Sequence, residues 1–145
     1  MKYCQKSRFV LKDLIIMVFT IALIAGAVPV WAEDIQHISP QEVKKMIESK
    51  KTDFLIVDAQ PKGIYDVGHI KGAVSFPWDE DLKSPGKLPK DKLLLIYCDC
   101  AHEEDAISTA TQLKAKWGYT KVKTIKGGWS GWVKLGYPTE KKVKK

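Results

Sequence analysis

Leu93-Leu94-Leu95-Ile96-Tyr97-Cys98-Asp99-Cys100-Ala101-His102-Glu103-Glu104-Asp105 is the stretch on which the fold turns. Residues 93–97 form a short apolar run after Lys-Asp-Lys that does not alternate, as a strand buried on both faces requires. The polar residues that follow lead into Ala106, Ala110, Leu113 and Trp117, a stripe at helical spacing that stops at Gly118. Upstream, Phe54-Leu55-Ile56-Val57 is a second buried run, and Ala73-Val74-Ser75-Phe76 and Val122-Lys123-Thr124-Ile125 are weaker strands closed by Pro77 and by Gly127-Gly128. Ahead of them, Ser39 can cap a helix that Pro40 opens and that Val43, Met46 and Ile47 carry to about Ser49. Strands alternating with helices predict an α/β fold with a parallel sheet covered on both sides. Residues 78–92, rich in Asp, Lys, Pro and Gly, read as a surface connection with at most one helical turn.

The chain has 145 residues, enough for one domain, and 45% hydrophobic against 28% charged residues predicts a folded core. Its net charge of +7 sits at the ends: Lys2, Lys6, Arg8 and Lys12 at the start, and a Lys-rich tail over residues 141–145. Residues 33–140 hold 16 Lys and 16 Asp plus Glu, so no basic groove for nucleic acid is expected.

Residues 14–32 carry no charge, follow a basic stretch and end with Val30 and Ala32 at the small-residue spacing of a cleavage site. Residues 1–32 therefore read as a secretory signal or, if uncleaved, an anchor in the inner membrane, with residues 33–140 as a periplasmic or otherwise exported domain. Cys4 lies before the apolar run, so the exported part keeps Cys98 and Cys100.

In open parallel sheets ligands bind beyond the carboxyl ends of the strands, which is where Cys98 falls. The loop behind it runs into a helix, so several backbone N–H groups and the positive end of the helix dipole are expected to converge on the thiol and favour the nucleophilic thiolate. Cys100 admits several readings: a resolving thiol that releases sulfur from Cys98, a partner in a disulfide, or, with Cys98 and His102, part of a C-x-C-x-H metal set for which the sequence supplies no fourth ligand. His69, in a Gly-His-Ile-Lys-Gly turn, reads as structural, and Asp58 as orienting that turn or capping a helix. His37 shows no partner.

Several elements together carry a resemblance: Asp58-Ala59-Gln60, Gly68-His69-Ile70-Lys71-Gly72-Ala73, Ile96-Tyr97-Cys98, Gly127-Gly128-Trp129-Ser130-Gly131-Trp132 and Gly136-Tyr137-Pro138. In this order the chain resembles single-domain rhodaneses over about residues 35–140. The resemblance implies a five-stranded parallel sheet flanked by helices, and sulfur transfer through a persulfide on Cys98 from a small sulfane donor or a protein persulfide to a thiol acceptor, without a cofactor. It implies Cys98 as the catalytic residue, and Cys100 joins it as catalytic on the working hypothesis that it is the resolving thiol. Asp99, Ala101, His102, Glu103, Glu104 and Trp129 are implied to bind substrate, with Trp129 able to wall the pocket.

The sequence departs from the family pattern where an Arg usually stands: Glu103 occupies that place in the loop, Gln60 replaces the Arg after Asp58, and residues 33–145 contain no Arg. Ile64 likewise replaces the acidic residue usual before Tyr65. Thiosulfate is a dianion, and a carboxylate about 7 Å from one unit of its charge costs about 2 kcal/mol at an effective dielectric of about 20. Turned to solvent, the acidic residues 103–105 would merely offset the helix dipole; turned inward, they make a neutral or protein-bound persulfide the better donor. The missing Arg also weakens a phosphatase reading, because a cysteine loop that transfers phosphoryl groups needs a bidentate cation. The alternative function is a non-catalytic binding or redox module with the cysteines paired or metal-bound.

Overall fold

The structure, a computed structural model, describes residues 34–142. The leader read in residues 1–32 and the end of the Lys-rich tail lie outside the described residues, within which no helix is long and apolar enough to cross a membrane.

Strand β5, Leu93–Tyr97, is the centre of a five-stranded parallel sheet. Strand β6, Val122–Ile125, lies on one side of it with β1, His37–Ile38, beyond; β2, Phe54–Asp58, lies on the other with β4, Val74–Ser75, beyond. The pleat divides the core in two. Leu94 and Ile96 face helix α3, Glu104–Trp117, with Val57, Ala106, Ala110 and Leu113, and Cys98 continues that face. Leu95 and Tyr97 face the other way, toward Val43 of α1, Pro40–Glu48, and Trp132 of α4, Gly128–Lys134.

Local chemistry explains the element ends. Ser39 and Glu42 form the reciprocal cap of α1, with the Glu42 N–H on Ser39 Oγ at 3.2 Å and the Ser39 N–H on Glu42 Oε2 at 3.1 Å. Gly118 ends α3 in the left-handed region, φ 67°. Strands β3, His69–Ile70, and β7, Thr139–Glu140, pair antiparallel outside the main sheet.

One expectation needs correction. Residues 78–92 form no helix, as read, yet they are not a loose surface connection. Leu82 and Leu88 are buried in the α3 layer, Gln112 bonds the Leu82 N–H and the Asp79 carbonyl at 2.8 Å each, and Tyr119 Oη donates to the Leu88 carbonyl at 2.7 Å. Apolar residues spaced six apart in a polar stretch anchor a loop without leaving a periodic trace. Lys62–Val67 is a helix, α2, to which the sequence reading assigned no element; it buries no residue and so shows no apolar stripe.

Candidate active site

The site grows from two neighbouring strand ends. Strands β2 and β5 pair in register with Asp58 opposite Tyr97. Asp58 is buried, its Oδ2 accepting from Tyr97 Oη at 2.5 Å and from Gln60 Nε2 at 3.2 Å, and its Oδ1 from the Gln60 N–H at 2.8 Å. Tyr97 Oη in turn accepts the Ile70 N–H at 3.0 Å. Asp58 thus orients the Gly-His-Ile turn through Tyr97. His69 is structural in the same sense: it stacks on Tyr65, and its Nδ1 lies 2.7 Å from the Tyr65 carbonyl. Burial raises the Asp58 carboxyl above the ordinary aspartate range, against the hydrogen bonds from Tyr97 and Gln60. Burial and the contact with Asp58 raise the Tyr97 phenol.

One residue past β5 the chain must turn sharply under α4. The Trp129 N–H donates to the Cys98 carbonyl at 2.9 Å, and a Cβ on Gly128, φ 49°, would collide with that carbonyl oxygen. The Gly-Gly turn is therefore what lets α4 close over the Cys98 backbone.

Cys98 itself is 1% exposed, facing the α3 side, where it forms part of the wall of an open cleft of about 260 Å³. Gln60, Pro61, Ile64, Asp99, Cys100 and Asp105 complete the wall. The cleft holds two carboxylates and no cation. The Cys100 N–H reaches Cys98 Sγ at 3.4 Å. No other backbone amide of the described residues does, so the expected convergence of loop amides reduces to one. The reason lies in the loop's path: Glu103 takes a left-handed conformation, φ 61°, and α3 begins only at Glu104, so its first turn does not aim at the sulfur.

Both cysteines are free thiols in the structure. Burial first, then the hydrogen bond it offers Cys98, push the Cys100 thiol up to about 12, with the Asp105 backbone amide acting in the opposite sense. Cys100 therefore keeps its proton at neutral pH, and its N–H is the donor that reaches Cys98 Sγ. A donor of this kind suits a negative sulfur.

The remaining expected site residues separate into two groups. Asp99 and Cys100 line the cleft with Cys98, although Asp99 Oδ1 is also tied to α4 by Ser130, N–H at 3.1 Å and Oγ at 2.5 Å. Ala101, His102, Glu103, Glu104 and Trp129 do not line it. Ala101 and His102 are exposed, and Glu104 accepts the His102 N–H at 3.2 Å. Glu103 points neither to solvent nor to the cleft. Its Oε1 accepts the Gly127 N–H at 2.7 Å, which pins the loop to the start of α4, and its Oε2 lies 3.2 Å from His37 Nδ1, so His37, expected to show no partner, stands beside Glu103 and 2.8 Å from Thr124 Oγ1. Trp129 packs on the opposite side of the sheet, its ring against Gly68. Cys98, Cys100 and His102 do not converge on a common point: among the described residues no group of three His, Cys, Asp or Glu side chains is placed to hold a metal ion.

Gln60, Pro61, Ile64 and Asp105 line the cleft beside Cys98, although sequence reasoning named none of them as a site residue. A signal existed for Gln60: it stands two residues past β2, and β2 is the strand beside β5, so the strand-end rule that picks Cys98 picks Gln60 as well.

Comparison with known proteins supplies the family context. The sequence model of the rhodanese-like domain matches residues 39–135. The adenylyltransferase and sulfurtransferase UBA4 of Meyerozyma guilliermondii is 35% identical over 89 residues, 57% of this chain and 21% of that protein. M-phase inducer phosphatase 2 of Homo sapiens is 30% identical over 83 residues, 49% of this chain and 14% of that protein. The chain thus spans about a fifth or less of these curated relatives. Among solved structures, a rhodanese-like domain from Anabaena sp. superposes with TM-score 0.61 at 31% identity, covering 72% of this chain and 78% of that one. A protein from Bacillus halodurans shares the fold, with TM-score 0.66 at 23% identity over 74% of this chain and 77% of its own.

Proposed function

This chain belongs to the rhodanese-like domain family, and from that membership we propose that it is a sulfurtransferase carrying a sulfane sulfur as a persulfide on Cys98. The observation that supports this reading is the position of Cys98, at the carboxyl end of the central strand, on the wall of an open cleft and within reach of the Cys100 amide. In the first half-reaction the Cys98 thiolate attacks the outer sulfur of a persulfide donor. The donor S–S bond breaks and its electron pair leaves on the donor thiolate, while the transferred sulfur keeps its proton. In the second, an acceptor thiolate attacks that outer sulfur and Cys98 returns as thiolate. No net oxidation occurs, so no cofactor is required. The Cys100 N–H holds the negative charge on sulfur at the start and end of each cycle.

The two carboxylates and the missing cation make thiosulfate a poor donor and favour a neutral or protein-bound persulfide. They also argue against phosphatase chemistry despite the phosphatase relative, since residues 33–145 contain no Arg to bind equatorial phosphoryl oxygens. The proposal places the reaction in an exported compartment on the strength of the apolar segment over residues 14–32, with membrane attachment if that segment is retained.

Intact mass tests the proposal. The reduced domain, exposed to a protein persulfide or a small organic persulfide, should gain about 32 Da, one sulfur atom, and lose it to added thiol. Absence of the gain with every such donor overturns the assignment.

A further inference from the structure

Gln60 is 3% exposed and stands in the wall of the cleft. Its amide is oriented by Asp58: Nε2 donates to Asp58 Oδ2 at 3.2 Å, which leaves Oε1 as the other end, and Oε1 has no hydrogen-bond partner. A buried acceptor left unpaired is costly unless something donates to it. The other polar side chains of the wall are the thiols and the carboxylates of Asp99 and Asp105, and among the described residues no Lys or His forms an ion pair with either carboxylate. Cys98 therefore opens into a cleft whose bonding potential for a ligand lies almost wholly in acceptors and negative charge, with Pro61 and Ile64 as its apolar part.

We infer that this cleft selects sulfur carriers bearing a protonated amine close to the sulfur, so that a small aminothiol persulfide is a preferred substrate class and Asp105 and Gln60 determine that preference. The inference rests on the sulfurtransferase reading. An ammonium group supplies three N–H donors and one positive charge for the Asp105 carboxylate, and one N–H for Gln60 Oε1 once the entering ligand opens that buried end of the amide, while the terminal sulfur faces Cys98 Sγ. The step is then the one above: the Cys98 thiolate takes the outer sulfur with its proton, the donor S–S bond breaks, and the electron pair leaves on the aminothiolate. An anionic donor of the same size meets repulsion in place of attraction. Ile64, exposed at the rim, favours a carrier with a short aliphatic linker over a strongly hydrated one.

The test measures the rate at which the full-length protein gains one sulfur on Cys98 from three persulfides of matched size: those of cysteamine, 2-mercaptoethanol and 3-mercaptopropionate. Each rate is divided by the rate of the same donor with free thioglycerol, a neutral thiol distinct from all three carriers, which removes differences in intrinsic reactivity. The expected order is cationic, neutral, anionic, with about tenfold or more between the first and last. Asp105→Asn, close to isosteric, should compress that span at least about threefold, and so should 0.5 M salt in the unaltered protein, which needs no variant to fold. Equal normalised rates for the three donors, or a span that neither Asp105→Asn nor salt alters, overturns the inference and leaves the sulfurtransferase reading standing. Failure of all three donors and of a protein persulfide to load Cys98 overturns that reading and the inference with it.

Discussion

The ends of β2 and β5 lie side by side at the same depth and use hydrogen bonding in opposite ways. At the β2 end, Asp58 is fully buried and accepts from Tyr97, from the Gln60 amide and from the Gln60 side chain, while Tyr97 accepts from Ile70. One residue past the β5 end, Cys98 is equally buried, yet its sulfur receives one backbone donor at 3.4 Å, longer than any of the Asp58 contacts. The difference teaches how this small sheet divides labour. A buried acceptor surrounded by short bonds fixes the positions of its neighbours, and a buried sulfur with weak, few bonds stays available for a new one. The first kind of site is read out in stability, the second in chemistry.

The largest expected effect breaks the comparison at its reactive end. Cys98→Ser should abolish sulfur uptake, a loss of at least about a hundredfold, while stability from denaturant unfolding stays within about 0.5 kcal/mol of the parent. Asp58→Ala should do the converse. It strands the Tyr97 hydroxyl and both Gln60 donors in the core, at a cost of about 3 kcal/mol, and the surviving folded fraction should still load Cys98. A Cys98→Ser protein that unfolds, or an Asp58→Ala protein of unchanged stability, would contradict the division. Tyr97→Phe is the finer cut: it removes the hydroxyl that joins Asp58 to the Ile70 N–H and should cost about 2 kcal/mol by urea denaturation, with protection of the Ile70 amide from exchange falling alongside.

Much of this arrangement is legible in the amino-acid sequence alone. The unbroken apolar run of 93–97, the stripe from Ala106 to Trp117 and the Ser39-Pro40 helix start each rest on short-range physics, and each element forms with bounds within a residue or two of those the pattern predicts. Cys98 at a strand end follows from the same rule. The features that escape such reading depend on partners distant in sequence. His37 meets Glu103 and Thr124 because β1 pairs with β6, far along the chain. Glu103 turns from the cleft because the Gly127 amide, brought in by β6 and α4, offers it a donor. Helix α4 carries Gly128 and Gly131 in seven residues, a composition that argues against a helix, and forms because Trp132 is fully buried against the sheet. Trp129 shows the limit of placing a residue by sequence proximity: adjacency to the Gly-Gly turn suggests a place near Cys98, and its backbone does bond Cys98, but the helix rotates its ring to the other face.

The smallest expected effect sharpens the scaffold side through pH. Asp58 has its carboxyl raised because burial disfavours its charge more than Tyr97 and Gln60 favour it. An acid whose folded value lies above its unfolded one contributes stability that is present in full below the ordinary aspartate range and is lost as pH rises through the folded value. The exposed Asp66 and Asp81, lowered by Lys62 and by Lys116 respectively, act in the opposite sense and in a lower pH window. In the window just above the ordinary aspartate range, the parent should therefore lose stability with rising pH relative to Asp58→Asn, which keeps the shape and cannot ionise. The difference in slope is bounded by one proton, about 1.4 kcal/mol per pH unit. Paired urea titrations of the two proteins across that window measure it. Parallel curves would mean that Asp58 stays ionised without penalty, and that the β2 end is balanced by its hydrogen bonds even against burial.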